Sequence, residues 1–398
     1  MLPLEGIRVV EFAHMVMGPS CGLVLADLGA EVIKVEPPAG DNTRRLEGAG
    51  AGFFPVFNRN KKSLAIDLQR PEGREIVFKL IEKSDVVTEN FRPGALDRLG
   101  FSYEKLKARN PKLIYCSLKG FLKGPYEHRP SLDEVTQMMG GLAYMTGLPD
   151  RPLRAGSSLI DIMGGTFAAV GILAALRSRE RTGRGQLVSS ALFESTAYLV
   201  AQHMAQYELT GEAPPPMSVK RPTWGVYDIF ETAGAGRLFV GVVTDTQWEV
   251  FCREFGERDL AADSRLKSNG MRVRERAWLI PRLAEIFKRY AQEDLANKLE
   301  AIGLPFAPIA TPWDLLSDPH LLASGGLLEM AVMKKNLHVP ALPLELDGRR
   351  LGKRADPPGV GEHGPELLRE LGCSREDIAG LVERRIVAFP ANDGGGNK

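Results

Sequence analysis

Short apolar runs rich in β-branched residues alternate with stretches of helical apolar spacing through the first half of the chain. Residues 6–12 (GIRVVEF) and 30–36 (AEVIKVE) read as buried strands. Between them Leu23, Val24, Leu25 and Leu28 share one helical face, and Gly29 stands where such a helix would end. Strand, helix and strand in so few residues make a βαβ unit, with parallel strands and a right-handed crossover. The alternation continues with an amphipathic helix over 72–84, a strand over 85–90, a helix over 102–110 opened by Ser102, and a strand over 112–120. A helix over 133–147 and a long one over 161–179, closed by RTGRG, follow. The expected fold is a Rossmann-like α/β domain with a largely parallel sheet.

The pattern changes near Gly211. GEAPPPMSVKRP (211–222) reads as a linker or exposed loop, and 226–243 as a hairpin around a glycine-containing turn, with helices after it. This divides the chain into a first part of the large domain (1–205), a linker (206–221), a small α+β domain (222–311), a second linker (312–345) and a C-terminal return to the large domain (346–398). The tail FPANDGGGNK is expected to be loose.

Composition narrows the function. The 398 residues carry 51 Lys and Arg against 50 Asp and Glu, so charge makes no case for nucleic acid or an anionic membrane. Cys21, Cys116, Cys252 and Cys373 lie far apart, which reads as reduced cytoplasmic thiols rather than a disulfide framework or zinc site. The start MLPLEGIRVVEFAH has neither a basic nor a long apolar region of a signal peptide, and no run of 18 consecutive apolar residues suggests a membrane span. The first strand is followed by HMVMGPSCG, which does not fit a dinucleotide fingerprint, and the six histidines show no metal-ligand spacing.

Against this background SLIDIMGG (158–165) stands out: a lone carboxylate, Asp161, heads a greasy helix, with Gly164 and Gly165 close behind. Asp161 is either a plain helix cap or a nucleophile kept ionised by the helix dipole and free N–H groups. In the second case the two glycines would let a substrate approach the backbone. Arg59, Lys61 and Lys62 precede a strand, and Arg92 and Arg98 flank a Pro-Gly turn. These are either solvated charges or phosphate ligands at the carboxyl edge of the sheet.

The segments EFAHMVMGPSCGLVLADLGAEVIKVEPPAGD, FNRNKKSLAIDLQRPEG, ENFRPGALDRLGF, SLIDIMGG…GILAALRSRERTGRGQ, DPHL and GEHGPELLRELG, in this order, resemble the class III coenzyme A transferases, the group that includes formyl-CoA and carnitine CoA-transferases. The resemblance implies a ring-like homodimer with interlocked subunits, though a hetero-oligomer with a second subunit is an alternative. It implies Asp161 as catalytic nucleophile, no permanently bound cofactor or metal, and coenzyme A or acyl-CoA as substrate. Val16, Met17, Asn90, Phe91, Arg98 and Lys61 stand at positions expected to contact CoA, and His14, Gly164 and Gly165 at positions expected near the acyl group. The implied chemistry is covalent: the carboxylate attacks a thioester to give an acyl anhydride and CoA thiolate, then becomes an aspartyl-CoA thioester that an acceptor acid consumes. Oxyanions would be held by helix or glycine-turn N–H groups.

The run from Lys119 to Asp161 is similar to members acting on mesaconate, citramalate or benzylsuccinate, which implies succinyl-CoA as donor and a dicarboxylate as acceptor. An arginine fork suits a second carboxylate, and Arg44, Arg45, Arg154 and Arg221 are candidates, Arg154 first. Pro37 stands where the family carries an arginine, and VKRPTWG (219–225) replaces a glycine-rich covering loop. Racemases of 2-methylacyl-CoA share this fold but pair the aspartate with a histidine. Leu132 occupies that position here, with His128 the nearest histidine.

Overall fold

Strands β1 (Arg8–Phe12), β2 (Glu31–Glu36), β3 (Lys61–Ile66), β4 (Val86–Glu89), β5 (Ile114–Lys119) and β6 (Leu187–Ala191) run parallel in the order β3-β2-β1-β4-β5-β6. They belong to a computed structural model that describes residues 2–219, 223–332 and 335–390. Both faces of the sheet are covered, as parallel sheets require, and apolar residues dominate the strands apart from buried charges such as Glu11, Lys34 and Lys61. Val9, Val32, Val86 and Ile114 face one core, with helix α1 (Met17–Asp27). Val10, Ile33, Leu64 and Val87 face the other, with helix α2 (Pro71–Glu82). Helix α3 (Tyr103–Arg109) precedes β5.

The chain leaves β1 toward β2 and β3 and returns on its other side through β4. The order therefore reverses at β1 and β4, where a parallel sheet opens a crevice at its carboxyl ends.

The helix expected over 133–147 breaks at Gly140 and Gly141. Helix α4 (Asp133–Met139) ends there, and Gly141 holds φ +80°, which a side chain would strain. Helix α5 (Leu159–Thr182) starts two residues before the expected boundary and ends where Gly183 turns left-handed. By length and composition it suffices to cross a bilayer, although its charge-free run, 162–176, stays short of the 18 apolar residues that a span would need. It is nevertheless part of the core: Ile160, Gly164, Gly165, Ala168, Ala169, Ile172 and Ala175 form a buried stripe in the cluster shared with α1 and the sheet. Strand β6 and helix α6 (Leu192–Thr210) follow, so residues 206–210 are helix, not linker.

The chain divides into two units, Met1–Ser218 with Pro319–Lys398, and Val219–Asp318. The smaller unit contains the antiparallel pair β7 (Val226–Glu231) and β8 (Arg237–Val242), joined by β9 (Phe306–Pro308). Helices α7 (Asp245–Glu254), α8 (Arg276–Phe287) and α9 (Gln292–Ala301) bury Phe251, Phe287 and Leu295 against it. Residues 319–345, expected as linker, group with the larger unit and form the antiparallel hairpin β10 (Leu327–Val332) and β11 (Lys335–Pro340). Two C-terminal helices, α10 (Gly364–Glu370) and α11 (Arg375–Glu383), complete the second core. Strand β12 (Val387–Ala388) adds antiparallel to the edge strand β3.

Candidate active site

The crevice at the carboxyl ends of β1, β4 and β5 is a cleft of about 1060 Å³, and Asp161 lines it. Its walls include His14, Met15 and Met17 after β1, and Asn90 and Phe91 after β4. These two loops are tied together. The Asn90 side chain accepts from the His14 N–H (3.0 Å) and donates to the His14 carbonyl (2.9 Å). Met15 holds φ +62°, a region side chains rarely adopt, and Thr43 Oγ1 accepts its N–H at 3.0 Å. Below them, Lys34 on β2 donates to the Ala13 carbonyl and pairs with Asp41 at 2.7 Å. The His14 ring lies 5.4 Å from that of Phe91, and burial holds its imidazole below the ordinary range.

Asp161 is the third residue of α5, not its cap. The start of the helix is capped from elsewhere: Asp133, the first residue of α4, accepts the N–H groups of Ile160 (2.8 Å) and Asp161 (3.1 Å) through Oδ2. Its other oxygen accepts from Gln137 Nε2 at 2.6 Å, and Gln137 Oε1 accepts the N–H of Ala155. The cap reading of Asp161 therefore gives way to a cap supplied by Asp133. The carboxylate of Asp161 accepts no hydrogen bond from any described residue. The expectation that free N–H groups and the dipole keep it ionised is also corrected. Burial, and then the charge of Asp133, push Asp161 up to about 7, with Arg154 pulling the other way.

Several expected contacts are spent on the protein itself. Gly164 and Gly165 are buried against α1: a Cβ at 165 would lie 2.0 Å from Ser20 Oγ and 2.5 Å from the Met17 carbonyl, and one at 164 would lie 2.5 Å from Met17 Cε. They let two helices meet, setting the start of α1 beside Asp161, and leave no room for substrate. Lys61 is sealed in the core, 2.9 Å from both oxygens of Glu11 and 3.0 Å from the Pro19 carbonyl, so it presents no donor to CoA. Arg44 gives its fork to Glu36 and stacks on Phe54, and Arg45 is bonded to Ala39 and Asn42. Val16 is buried and does not line the cleft, whereas Met17, Asn90, Phe91 and His14 do. Arg98 is exposed at the end of a single turn, Ala95–Arg98, whose Leu96 and Asp97 line the cleft. Arg154 is exposed and donates to the Ser157 carbonyl at 2.9 Å. Arg221 lies outside the described residues.

The sequence reading missed Asp133 and Glu89. Asp133 stands 28 residues from Asp161, so no local spacing joins them; the acidic first turn of LDEV was the sole sign. Glu89 ends β4 in the cleft floor, taking the Ser117 hydroxyl and the Phe91 N–H (3.0 Å), and burial holds it above the usual carboxyl range. An unshared carboxylate of raised basicity in a deep cleft is suited to attack on an acyl carbon.

The sequence model of CoA-transferase family III matches residues 4–364. The chain is 35% identical to the succinyl-CoA–D-citramalate CoA-transferase of Chloroflexus aurantiacus, the match covering 97% of this chain and 98% of that protein. It is 34% identical to the succinyl-CoA:mesaconate CoA-transferase of Haloarcula hispanica, over 93% of this chain and 96% of that one. Among solved structures, a CAIB/BAIF family protein from Brucella suis matches with a TM-score of 0.82 at 36% identity, covering 93% of this chain and 99% of that chain.

Proposed function

The chain belongs to CoA-transferase family III, and we propose that it moves CoA from succinyl-CoA to a dicarboxylate such as citramalate or mesaconate, with Asp161 as nucleophile. The observation that carries this reading is the unshared carboxylate of Asp161 in the cleft. An Asp161 oxygen attacks the thioester carbon, the C–S bond breaks, and CoA leaves as thiolate. The thiolate then attacks the aspartyl carbonyl of the anhydride and expels succinate, leaving an aspartyl-CoA thioester. The acceptor carboxylate attacks that thioester, forming a new anhydride and freeing the thiolate again. The thiolate takes the acceptor's acyl carbon, and Asp161 is regenerated as carboxylate. No step needs a proton donor, because each nucleophile and each leaving group is an anion. The apolar surroundings that raise Asp161 also keep water from the anhydride.

CoA lies along Asn90, Phe91, Met17 and His14 in this reading, with Arg98 meeting a phosphate. The racemase alternative asks for a base at position 132, where Leu132 stands in the cleft wall. A second copy of the chain completes the enzyme. Tyr198 and Leu209 on one side of α6, with Met204 and Tyr207 on the other, are exposed apolar residues, which supports such a partner. Four free thiols accord with a cytoplasmic setting.

The test is the purified chain with succinyl-CoA and a panel of citramalate, mesaconate, itaconate, benzylsuccinate, acetate and butyrate, with CoA esters separated by chromatography. A dicarboxyl-CoA is the expected main product. Faster turnover of the monocarboxylates, or none of any acid, overturns the reading.

A further inference from the structure

A dicarboxylate brings two charges into the site, and Asp161 can consume only one of them. The other end needs a cation, because a desolvated carboxylate without a partner is strongly disfavoured. The described arginines near the β1 and β2 loops are committed. Arg44 is paired with Glu36, and Arg45 is bonded to Ala39 and Asn42. Arg92 stands in the wall beside Phe91, where CoA is placed in the reading above. Arg154 differs. Its Nη2 donates to the Ser157 carbonyl (2.9 Å) and lies 3.6 Å from Asp133 Oδ1, while Asp133 Oδ2 accepts the N–H of Asp161 at 3.1 Å. One carboxylate width thus separates the guanidinium from the backbone of the nucleophile. Nη1 and Nε hold no hydrogen bond with any described residue, and the side chain is 38% exposed. Arg154 also lies outside the residues that line the CoA cleft, on the side of Asp133.

Resting on the transfer reading above, we propose that Arg154 is a specificity-determining residue whose unspent fork pairs with the remote carboxylate of the acid bound at Asp161. Ser157 and Asp133 hold the guanidinium in place, so little ordering is needed when the acid arrives. The same contact serves donor and acceptor, since both pass through Asp161.

Succinyl-CoA and butyryl-CoA have the same chain length and differ by one terminal carboxylate against a methyl, which makes them the measuring pair. The rate of CoA release with hydroxylamine as trap gives kcat/KM for acylation alone, and the quantity read is the succinyl-to-butyryl ratio. Any effect of the substitution acting through Asp133 or Asp161 cancels in that ratio. The parent is expected to favour succinyl-CoA. Arg154→Gln should reduce the ratio about threefold to fivefold, the loss expected when a partly exposed charge pair is broken, and Arg154→Lys should restore part of it. A parent with no preference defeats the dicarboxylate reading itself. A parent with a preference that Arg154→Gln leaves intact defeats the role of Arg154 alone and assigns it to holding Asp133.

Discussion

Asp161 is a carboxyl group whose surroundings disfavour its own reactive form. Burial and the neighbouring charge of Asp133 raise it to about 7, so near neutrality it is shared between acid and carboxylate. If the carboxylate is the nucleophile, as proposed, kcat/KM for succinyl-CoA should rise about tenfold per pH unit below 7 and level off above it. Flat dependence from pH 5 to 8 would exclude this assignment. The same shift has a consequence for stability. The folded value lies above the unfolded one of about 3.9, so the native state binds the extra proton, and stability from this group falls as pH rises from about 4 to about 7. Asp161→Asn removes the charge at nearly constant shape. Its melting temperature should match the parent's near pH 4 and exceed it by about 2 °C or more at pH 8. The variant should also lose on the order of 10³-fold or more in kcat, as nucleophile deletions do, and should give no hydroxamate at position 161 by mass spectrometry.

The element that presents Asp161 is helix α5, and two features set its position. The first is its crossing with α1, allowed by Gly164 and Gly165. Added methyls would meet different neighbours: the flexible end of Met17 at 164, but the Ser20 hydroxyl and the Met17 backbone at 165. Gly165→Ala should thus destabilise by about 1–3 kcal/mol, as overpacking does, and Gly164→Ala by distinctly less. Urea titrations of the pair decide it, and equal effects would mean that the helices part freely. The second feature is the borrowed cap from Asp133. Asp133→Asn keeps an acceptor for the helix N–H groups but removes the like charge, so the acid limb of the pH profile should move to lower pH, at a stability cost of about 1–3 kcal/mol because its amide nitrogen would face the Gln137 Nε2 donor. Asp133→Ala should lose about 1 kcal/mol besides. An unmoved limb in the Asn variant would make Asp133 a cap and nothing more.

At the scale of the whole molecule, the larger unit is assembled from both ends of the chain, with the smaller unit inserted between them. The exposed apolar residues of α6 belong to the larger unit, and Trp313, Leu315 and Leu316 are exposed in the smaller one. Each is more apolar surface than water favours, and with a net charge of +1 little self-repulsion opposes association. Light scattering should give twice the chain mass of 43.6 kDa at micromolar concentration. A mass of one chain with full activity would remove the partner from the mechanism.

Much of this was legible in the sequence. The runs of apolar residues gave β1, β2 and β4 to within two residues at either end, because strands buried on both faces leave short continuous apolar runs; α1 was placed by its apolar residues and the glycine after it, although it is buried almost all round rather than on one face. The lone Asp161 was visible for the same reason, as a charge where the pattern demanded apolar residues. The strand and helix over 187–210 were missed, and so was the break at Gly141, where a left-handed glycine interrupts a pattern that reads as one helix. What local spacing cannot carry is partnership. Lys61 looks like a phosphate ligand until Glu11 is found 50 residues away, and Gly165 looks like room for substrate until α1 fills it. Asp133 and Asp161 meet only because two helices start side by side. Sequence determined which groups are available; the tertiary structure decided which of them are already spent, because a charge or a cavity is defined by what the fold brings against it.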